Sequence, residues 1–279
     1  MKNLRVNLGN RSYDIIIGRD IRDEIGKYVL DITGTHSVKI LLVTDSNVEK
    51  LHGKELLDIL METGFEVYLF TIPAGEKSKS PEMLQKIYDK LIEHKFTRSD
   101  MLCALGGGVT GDLVGYAAAT YMRGIRFFQI PTSLLAQVDS SVGGKTGIDL
   151  PQAKNVVGCF YQPAAVYADS YYLTTLEPKF LRDGLSEVVK YAVLRSGMLL
   201  DNIRTYKRPE DFLANSDEMV YACCDIKREI VEHDECDTGE RMLLNFGHTI
   251  GHSIESHFNY CKYTHGEGVA IGMVEIARF

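Results

Sequence analysis

The sequence has 279 residues, 45% of them hydrophobic and 25% charged, which is the composition of a globular protein long enough for a large core and two domains. A formal net charge of −7 without any basic run argues against nucleic acid as a partner, so an anionic substrate would need a few locally placed Lys or Arg side chains. The start lacks the apolar core of a signal peptide, and no apolar stretch approaches the roughly 20 residues of a membrane span, so we expect a cytoplasmic protein without membrane contact. The dispersed cysteines, from Cys103 to Cys261, include no CxxC pair, so we expect reduced thiols.

The first part of the chain alternates predicted strands with predicted helices. Residues 4–17 predict a β-hairpin around Gly9-Asn10, and further apolar strands are predicted at 38–45, 65–72, 101–105, 125–130 and 164–168. Helices are predicted at 47–63, from Pro81 onward, and after a glycine-rich turn. Apolar strands separated by helices are typical of a mostly parallel sheet covered on both faces.

From about Pro178 the apolar residues recur with helical periodicity, and helices are predicted at 178–194, 217–233, 241–257 and 266–279. We therefore predict an α/β fold in two parts. An N-terminal, mostly parallel dinucleotide-binding domain spans 1–176, and an all-helical metal- and substrate-binding domain spans 177–279. The last helix runs to Phe279 without a C-cap signal, from which we expect the polypeptide to stop early.

A glycine-rich turn follows the strand predicted at 101–105. It contains GxGxxG at Gly106, Gly108 and Gly111, and glycines there would let backbone N–H groups approach a pyrophosphate at the start of a helix. The usual dinucleotide fingerprint follows the first strand, whereas this one follows a later strand. A tight turn that needs glycine only for packing is the alternative.

The segment 102–176 is poor in charge and rich in glycine, yet it contains isolated polar residues: Arg123, Asp139, Lys145, Lys154 and Asn155. Charges placed singly in an apolar region usually have assigned partners, because burying an unpaired charge is costly. Lys145 follows two glycines and Lys154-Asn155 follows a turn that begins with proline, so both predict contacts with a phosphate or carboxylate. Solvated loop lysines are the alternative.

Four histidines lie close together near the end of the chain, at positions 248, 252, 257 and 265. His248 and His252 are four residues apart and share one helix face. Such a pair, with a third histidine and a carboxylate from elsewhere, predicts an open site for zinc or a similar ion, although spacing does not decide which two histidines bind. The candidate carboxylate is Glu187, for which a surface pair with Lys190 is the alternative.

Several motifs together closely resemble those of the 3-dehydroquinate synthase family, in family order and spacing from about residue 38 to the end: GGGVTGDLVGYAAATYMRG, IPTSLLAQVDSSVGGKTGID, KNVVGCFYQP, EVVKYA, LNFGHTIGHSIE and HGEGVAIGM. Metal-dependent polyol dehydrogenases are similar in architecture. The DSSVGGKTGID and EVVKYA motifs resemble the synthases instead.

The resemblance implies cofactors and residue roles. It implies one divalent metal, zinc or cobalt, bound by Glu187, His248 and His265, which leaves His252 beside the metal or as a proton relay. It implies an NAD site made by Asp45, Glu76, Lys79, Gly107, Gly108, Val109, Asp112, Thr132, Ser133, Lys145, Lys154, Tyr172, Leu173, Thr174 and Thr175. It implies catalytic and substrate contacts from Asp139, Lys145, Asn155, Lys190, Lys227, Arg241 and Asn245, with Arg123 reaching the neighbouring site of a homodimer.

The reaction implied by the resemblance converts 3-deoxy-arabino-heptulosonate 7-phosphate into 3-dehydroquinate and phosphate, a step of the shikimate pathway of aromatic amino acid biosynthesis. It proceeds by alcohol oxidation, phosphate elimination, ketone reduction and intramolecular aldol closure, with NAD recycled.

Three alternatives stay open. Another sugar-phosphate cyclase, such as a deoxy-scyllo-inosose synthase, would act on a substrate without a carboxylate, and Arg241 argues against it. A polyol dehydrogenase would release NADH. A non-catalytic NAD-binding protein is the third, because family chains are longer and their further helices carry another substrate-binding lysine. We therefore expect an exposed apolar patch on 266–279 and reduced turnover.

Overall fold

The computed structural model describes residues 1–258 and 262–278, apart from the side chain of Pro209. Cys261 and the predicted helix end at Phe279 lie outside the described residues. The strands are β1 Lys2–Val6, β2 Tyr13–Gly18, β3 Lys39–Asp45, β4 Glu66–Ile72, β5 Met101–Gly106, β6 Arg126–Pro131, β7 Lys145–Leu150, β8 Ala153–Phe160 and β9 Ala165–Asp169. The helices are α1 Ile25–Thr33, α2 Ser46–Val48, α3 Lys54–Glu62, α4 Pro81–Glu93, α5 Gly108–Thr120, α6 Pro178–Arg195, α7 Gly197–Thr205, α8 Pro209–Ala214, α9 Ser216–His233, α10 His248–His257 and α11 His265–Ile276.

The main sheet has the strand order β1-β2-β9-β6-β5-β3-β4. β1 and β2 form the predicted antiparallel hairpin, and the remaining neighbours pair in parallel. The prediction of a mostly parallel α/β sheet is therefore confirmed. Because parallel strands end at the same edge, the segments after β3, β5, β6 and β9 meet along one side of the sheet.

Both faces of the sheet are covered, as predicted. Alternate residues of β3 belong to separate buried clusters: Ile40 and Leu42 pack with α1 and α3, whereas Leu41 and Val43 pack with α4 and α5. Side chains point to opposite faces at every second residue, so a continuous apolar strand fills two cores.

A two-stranded antiparallel sheet of β7 and β8 contains Lys145 and Lys154, so the alternative that they lie in loops is wrong, while their contacts with a phosphate or carboxylate remain a prediction. The hairpin was not predicted from the sequence, because Gly147 and Gly158 interrupt the alternation of polar and apolar residues in its strands. A Cβ on Gly158 would lie 2.1 Å from the carbonyl oxygen of Thr146, so the strands can pair here only without that side chain.

The helical predictions need several corrections. The helix predicted at 241–257 begins only at His248, because Glu240–Asn245 is a 3₁₀ segment and Gly247 has a φ of +84°. The helix predicted at 47–63 contains a π-helical stretch, Glu49–Gly53, and Gly9–Arg11 forms a 3₁₀ turn in the hairpin. Helices α1, α7 and α8 were not predicted.

The N-terminal hairpin shares a buried cluster with the later helices, since Val6 and Ile15 pack in the same core as Val188 of α6 and Val231 of α9. The predicted boundary at 176 lies between the 3₁₀ segment Ser170–Thr175 and α6. The division into two domains remains a prediction. Within the described residues, no helix has the length and apolar character needed to cross a membrane.

Candidate metal centre and the adjoining cleft

Close packing of α10 against α11 brings the predicted histidines together. A Cβ on Gly251 would lie 2.9 Å from the backbone of Gly268, and one on Gly272 would lie 2.1 Å from the carbonyl oxygen of Gly247. Only helices without side chains at the crossing can approach so closely. The side chain of Asp183 ties α6 to the same place, because its Oδ1 accepts a hydrogen bond of 2.6 Å from the backbone N–H of Gly266.

Glu187 of α6 faces two histidines from this helix pair. Its Oε1 lies 3.5 Å from Nε2 of His248 and 3.8 Å from Nε2 of His265, and one ligand atom from each of the three residues lies within 4.8 Å of the others. Glu187 is fully buried; its Oε2 pairs with the ammonium group of Lys190, whereas Oε1 has no hydrogen-bond partner within the described residues. A buried carboxylate oxygen aimed at two imidazole nitrogens fits a divalent ion of the zinc or cobalt type.

The surroundings suit metal binding electrostatically. Burial, reinforced by the positive charge of Lys190, lowers the pKa of His248 to about 3, so the imidazole is neutral and its lone pair is available. Burial raises the pKa of Glu187, although the ion pair with Lys190 opposes that shift. Glu187 and Lys190 are 0% and 1% exposed, so they are not the surface pair that was the alternative.

His252 is exposed, and its ring centre lies 5.5 Å from that of His248 and 5.7 Å from that of His265. His252, Glu255 and His265 form a second group with metal-ligand spacing. Sequence analysis missed Glu255, although it lies three residues after His252 and seven after His248, which is the same helix face.

Next to the metal group, Asp139 links three elements. Its Oδ1 accepts hydrogen bonds from Lys227 of α9, at 2.7 Å, and from the hydroxyl of Tyr191 of α6. Burial alone would raise the pKa of Asp139, but the positive charges of Lys227 and Lys190 hold it well below its usual range. The predicted residues Asp139, Lys190 and Lys227 therefore belong to one buried network with Glu187.

A cleft of about 500 Å³ opens beside this network. Its lining includes the predicted residues Asp112, Asp139, Lys145, Asn155 and Lys227. Lys145 forms an ion pair with Asp237, a residue that sequence analysis did not single out. Two lysines and one asparagine amide therefore face the same open cleft.

Two further predicted substrate residues lie on the 3₁₀ segment Glu240–Asn245 and not in the lining of the cleft. Arg241 is 1% exposed, donates a hydrogen bond of 3.0 Å to the carbonyl oxygen of Gly143, and has a buried Nε without a partner among the described residues. Asn245 is exposed at the end of the 3₁₀ segment before α10.

The glycine-rich turn joins β5 to α5 at the edge of the same cleft. A Cβ on Gly106 would lie 2.5 Å from Oγ1 of Thr110, and one on Gly111 would lie 2.6 Å from Oε1 of Gln129, so these two glycines are needed for packing. A Cβ on Gly107 would meet only the side chain of Ser133, with Oγ at 3.4 Å and Cβ at 3.9 Å. Packing therefore does not require glycine at 107, in contrast to 106 and 111.

The other residues predicted to bind NAD follow the strand ends on this edge. Asp45 ends β3 and caps α2 through Oδ1, Thr132 and Ser133 follow β6, and Val109 lies in the first turn of α5. Tyr172 and Leu173 are 2% and 1% exposed, so their side chains belong to the core.

Lys79 connects the loop after β4 to this edge, because its ammonium group contacts the side chains of Asp112 and Asn155. Nζ of Lys154 lies 3.4 Å from Oε1 of Glu76. Oγ1 of Thr175 lies 2.8 Å from Nε2 of His52, and Thr174 is exposed.

Arg123 is not brought to this cleft. It follows the C-terminal end of α5, whose 13 residues correspond to roughly 20 Å of helix from the glycine turn. Its side chain is exposed, its φ is +66°, and it has no hydrogen bond or ion pair in the described part of the chain.

Comparison with known proteins gives concordant matches over the chain. Family models match at residues 69–183 (3-dehydroquinate synthase N-terminal) and 184–279 (3-dehydroquinate synthase C-terminal). A 3-dehydroquinate synthase of Clostridium acetobutylicum is 50% identical over 278 residues, which cover 100% of this chain and 78% of that protein.

Two solved structures have the same fold. A 2-deoxy-scyllo-inosose synthase complexed with carbaglucose-6-phosphate, NAD⁺ and Co²⁺ superimposes with a TM-score of 0.88 at 24% identity, covering 99% of this chain and 76% of that one. A 2-epi-5-epi-valiolone synthase from Streptomyces hygroscopicus with NAD⁺ and Zn²⁺ bound superimposes with a TM-score of 0.84 at 27% identity, covering 94% and 72%.

Proposed function

This chain belongs to the 3-dehydroquinate synthase family, and we propose that it converts 3-deoxy-arabino-heptulosonate 7-phosphate into 3-dehydroquinate and phosphate as an NAD- and metal-dependent carbon–oxygen lyase. The observation that carries the proposal is the buried Oε1 of Glu187, which has no hydrogen-bond partner among the described residues and faces His248 and His265 beside a cleft lined with Lys145 and Lys227.

We propose that Glu187, His248 and His265 hold one divalent ion. The turn at Gly107 and Gly108 and the strand ends around it would bind NAD, in line with the NAD⁺ and Zn²⁺ bound to the valiolone synthase. Together the two cofactors supply a reversible hydride acceptor and a Lewis acid when bound.

The protein side chains bind and orient the substrate. Lys145, Asn155 and Lys227 line the cleft: the two lysines would neutralise the phosphate and carboxylate groups, and the amide of Asn155 would donate a hydrogen bond to them. Asp139 would accept hydrogen bonds from substrate hydroxyls. Arg241 and Asn245 are proposed carboxylate and hydroxyl contacts, and exposed His252 is a proposed proton relay.

We also propose a homodimer in which Arg123 reaches the partner's cleft. The position of Arg123, exposed and a helix length from the glycine turn of its own chain, supports the proposal. Mixing an Arg123→Ala variant with a Lys227→Met variant should restore activity that neither has alone, since one mixed site then keeps both residues. The buried free thiols at Cys103, Cys223 and Cys224 support a reducing, cytoplasmic location.

The direct test is incubation with the heptulosonate phosphate, catalytic NAD⁺ and Zn²⁺ or Co²⁺, with phosphate release and NADH followed together. Phosphate release without net NADH supports the synthase, because hydride returns in each cycle. NADH accumulation in step with product would instead support a polyol dehydrogenase. Binding of NAD without phosphate release would support a non-catalytic protein, and turnover of a substrate without a carboxylate would support an inosose synthase.

A further inference from the structure

The buried carboxylate of Glu255 contacts the opposite side of the His265 ring from the proposed metal. Its Oε2 lies 3.3 Å from Nδ1 of His265, whereas Nε2 of the same ring lies 3.8 Å from Oε1 of Glu187. Glu255 is 7% exposed and lies on α10, while His265 begins α11. The contact therefore joins the two helices that carry the histidines.

The contact with Glu255 favours one of the two tautomers of the His265 imidazole. A neutral histidine carries one N–H, and the hydrogen bond made by one nitrogen decides which nitrogen keeps the lone pair. An Nδ1–H that donates to Glu255 leaves the lone pair on Nε2, directed towards Glu187 and His248. A carboxylate behind a metal-bound histidine also fixes the ring orientation and makes the ligand more basic.

We propose that Glu255 is a positioning residue that holds His265 in the Nδ1–H tautomer and so raises the affinity for the divalent ion. The inference rests on the proposed metal group of Glu187, His248 and His265.

Glu255 could instead be a ligand itself, in the group with His252 and His265. The burial of the carboxylates argues against this. An ion in that group would leave Oε1 of the fully buried Glu187 without a partner among the described residues, because Lys190 pairs only with Oε2. His252, moreover, is exposed.

The experiment compares Glu255→Ala and Glu255→Gln with the unaltered chain. Affinity for Co²⁺ alone is measured by visible absorption and by competition with a chelator. The tautomer of His265 is read from ¹⁵N NMR of the metal-free protein. The matched control is Glu275→Gln, which removes a carboxylate of α11 that pairs with Arg278 away from the histidines.

We expect Glu255→Ala to weaken Co²⁺ binding by about 10- to 100-fold and to let the His265 tautomer become mixed. Glu255→Gln should lose less Co²⁺ affinity, because the amide oxygen of glutamine still accepts a hydrogen bond from Nδ1–H of His265 and its size preserves the packing. The control should match the unaltered chain in both readouts.

Unchanged affinity and an unchanged Nδ1–H tautomer in Glu255→Ala would overturn the inference. Loss of binding in Glu255→Ala and His252→Ala, with binding intact in His248→Ala, would also overturn it by making Glu255 a ligand. If binding survives equally in His248→Ala and Glu187→Gln, the proposed metal group itself has failed. Loss of Co²⁺ binding in His248→Ala, with no change of binding in Glu255→Ala, would support the proposed metal group and overturn only the role of Glu255.

Discussion

The ammonium group of Lys227 binds Asp139 twice: its Nζ lies 2.7 Å from the carboxylate Oδ1 and 2.8 Å from the backbone carbonyl oxygen. These bonds fasten α9 to the π-helical segment Ala136–Ser140, which lies between the sheet edge and the cleft. The pair therefore links the segment that follows β6 to the helical part of the chain.

The first prediction is a loss of activity at alkaline pH. Burial lowers the pKa of Lys227 from its ordinary value of 10.5 to about 8, although Asp139 opposes the shift. Lys227 is therefore charged below pH 8 and neutral above it, and only the charged form can pair with an anionic substrate. We expect kcat/KM to fall about tenfold per pH unit above pH 8, measured from pH 6 to 9.5.

The control for this pH dependence is Lys227→Arg, whose guanidinium stays protonated throughout the range. Residual activity of that variant should lack the alkaline fall. A profile of the unaltered chain that stays flat to pH 9.5 would contradict the prediction, and the same fall in Lys227→Arg would assign it to another group.

The second prediction concerns the Glu187–Lys190 pair. Lys190→Met should lower the free energy of unfolding of the metal-free protein by about 3–5 kcal/mol, because it leaves a buried carboxylate without its partner. Urea denaturation with a chelator present measures the change. Lys90→Met, which breaks a solvent-exposed Lys–Glu pair at the same i, i+3 spacing, is the matched control and should change little. Equal effects in the two variants would show that burial is not the cause.

The third prediction tests the glycine turn. Gly107→Ala should leave stability nearly unchanged, since the new Cβ would make only an ordinary contact with Ser133. It should raise the Kd for NAD⁺ by about tenfold or more, which corresponds to about 1.4 kcal/mol, because a methyl group displaces the pyrophosphate from the backbone N–H groups. Calorimetric titration measures the affinity.

Gly197→Ala is the control for Gly107→Ala, because nothing lies within 4 Å of the added Cβ at that exposed helix start. Unaltered NAD⁺ affinity in Gly107→Ala would contradict the prediction, because it would mean that the pyrophosphate does not bind at this turn.

The fourth prediction is that His248→Ala loses the metal while the fold persists. His248 supplies one of the three proposed ligands, so metal content after dialysis should fall from about one equivalent to a small fraction. Elemental analysis measures the content, and circular dichroism checks the fold. His257→Ala, on the exposed end of the same helix, should keep its metal. Stoichiometric metal in His248→Ala would refute the proposed ligand set.

Much of this molecule was predictable from the chain alone. Three features are local properties of the sequence: the apolar strands such as β3, the helix pattern after Pro178, and the shared helix face of His248 and His252. The periodicity of apolar residues within one helix or strand indicates which of its sides is buried. The motifs identified the family for the same reason, since each is a short continuous segment.

Only the tertiary structure decided which of those segments meet. Glu187 lies far along the chain from His248 and His265, and it reaches them because glycines let α10 and α11 pack closely while Asp183 ties α6 to α11. Periodicity does not register such contacts, because they depend on how separate elements approach each other. For the same reason the sequence did not single out Glu255, which the packing of α10 against α11 places beside His265. The β7–β8 hairpin, which contains Gly147 and Gly158, was likewise not predicted, because only the pairing of its two strands defines it.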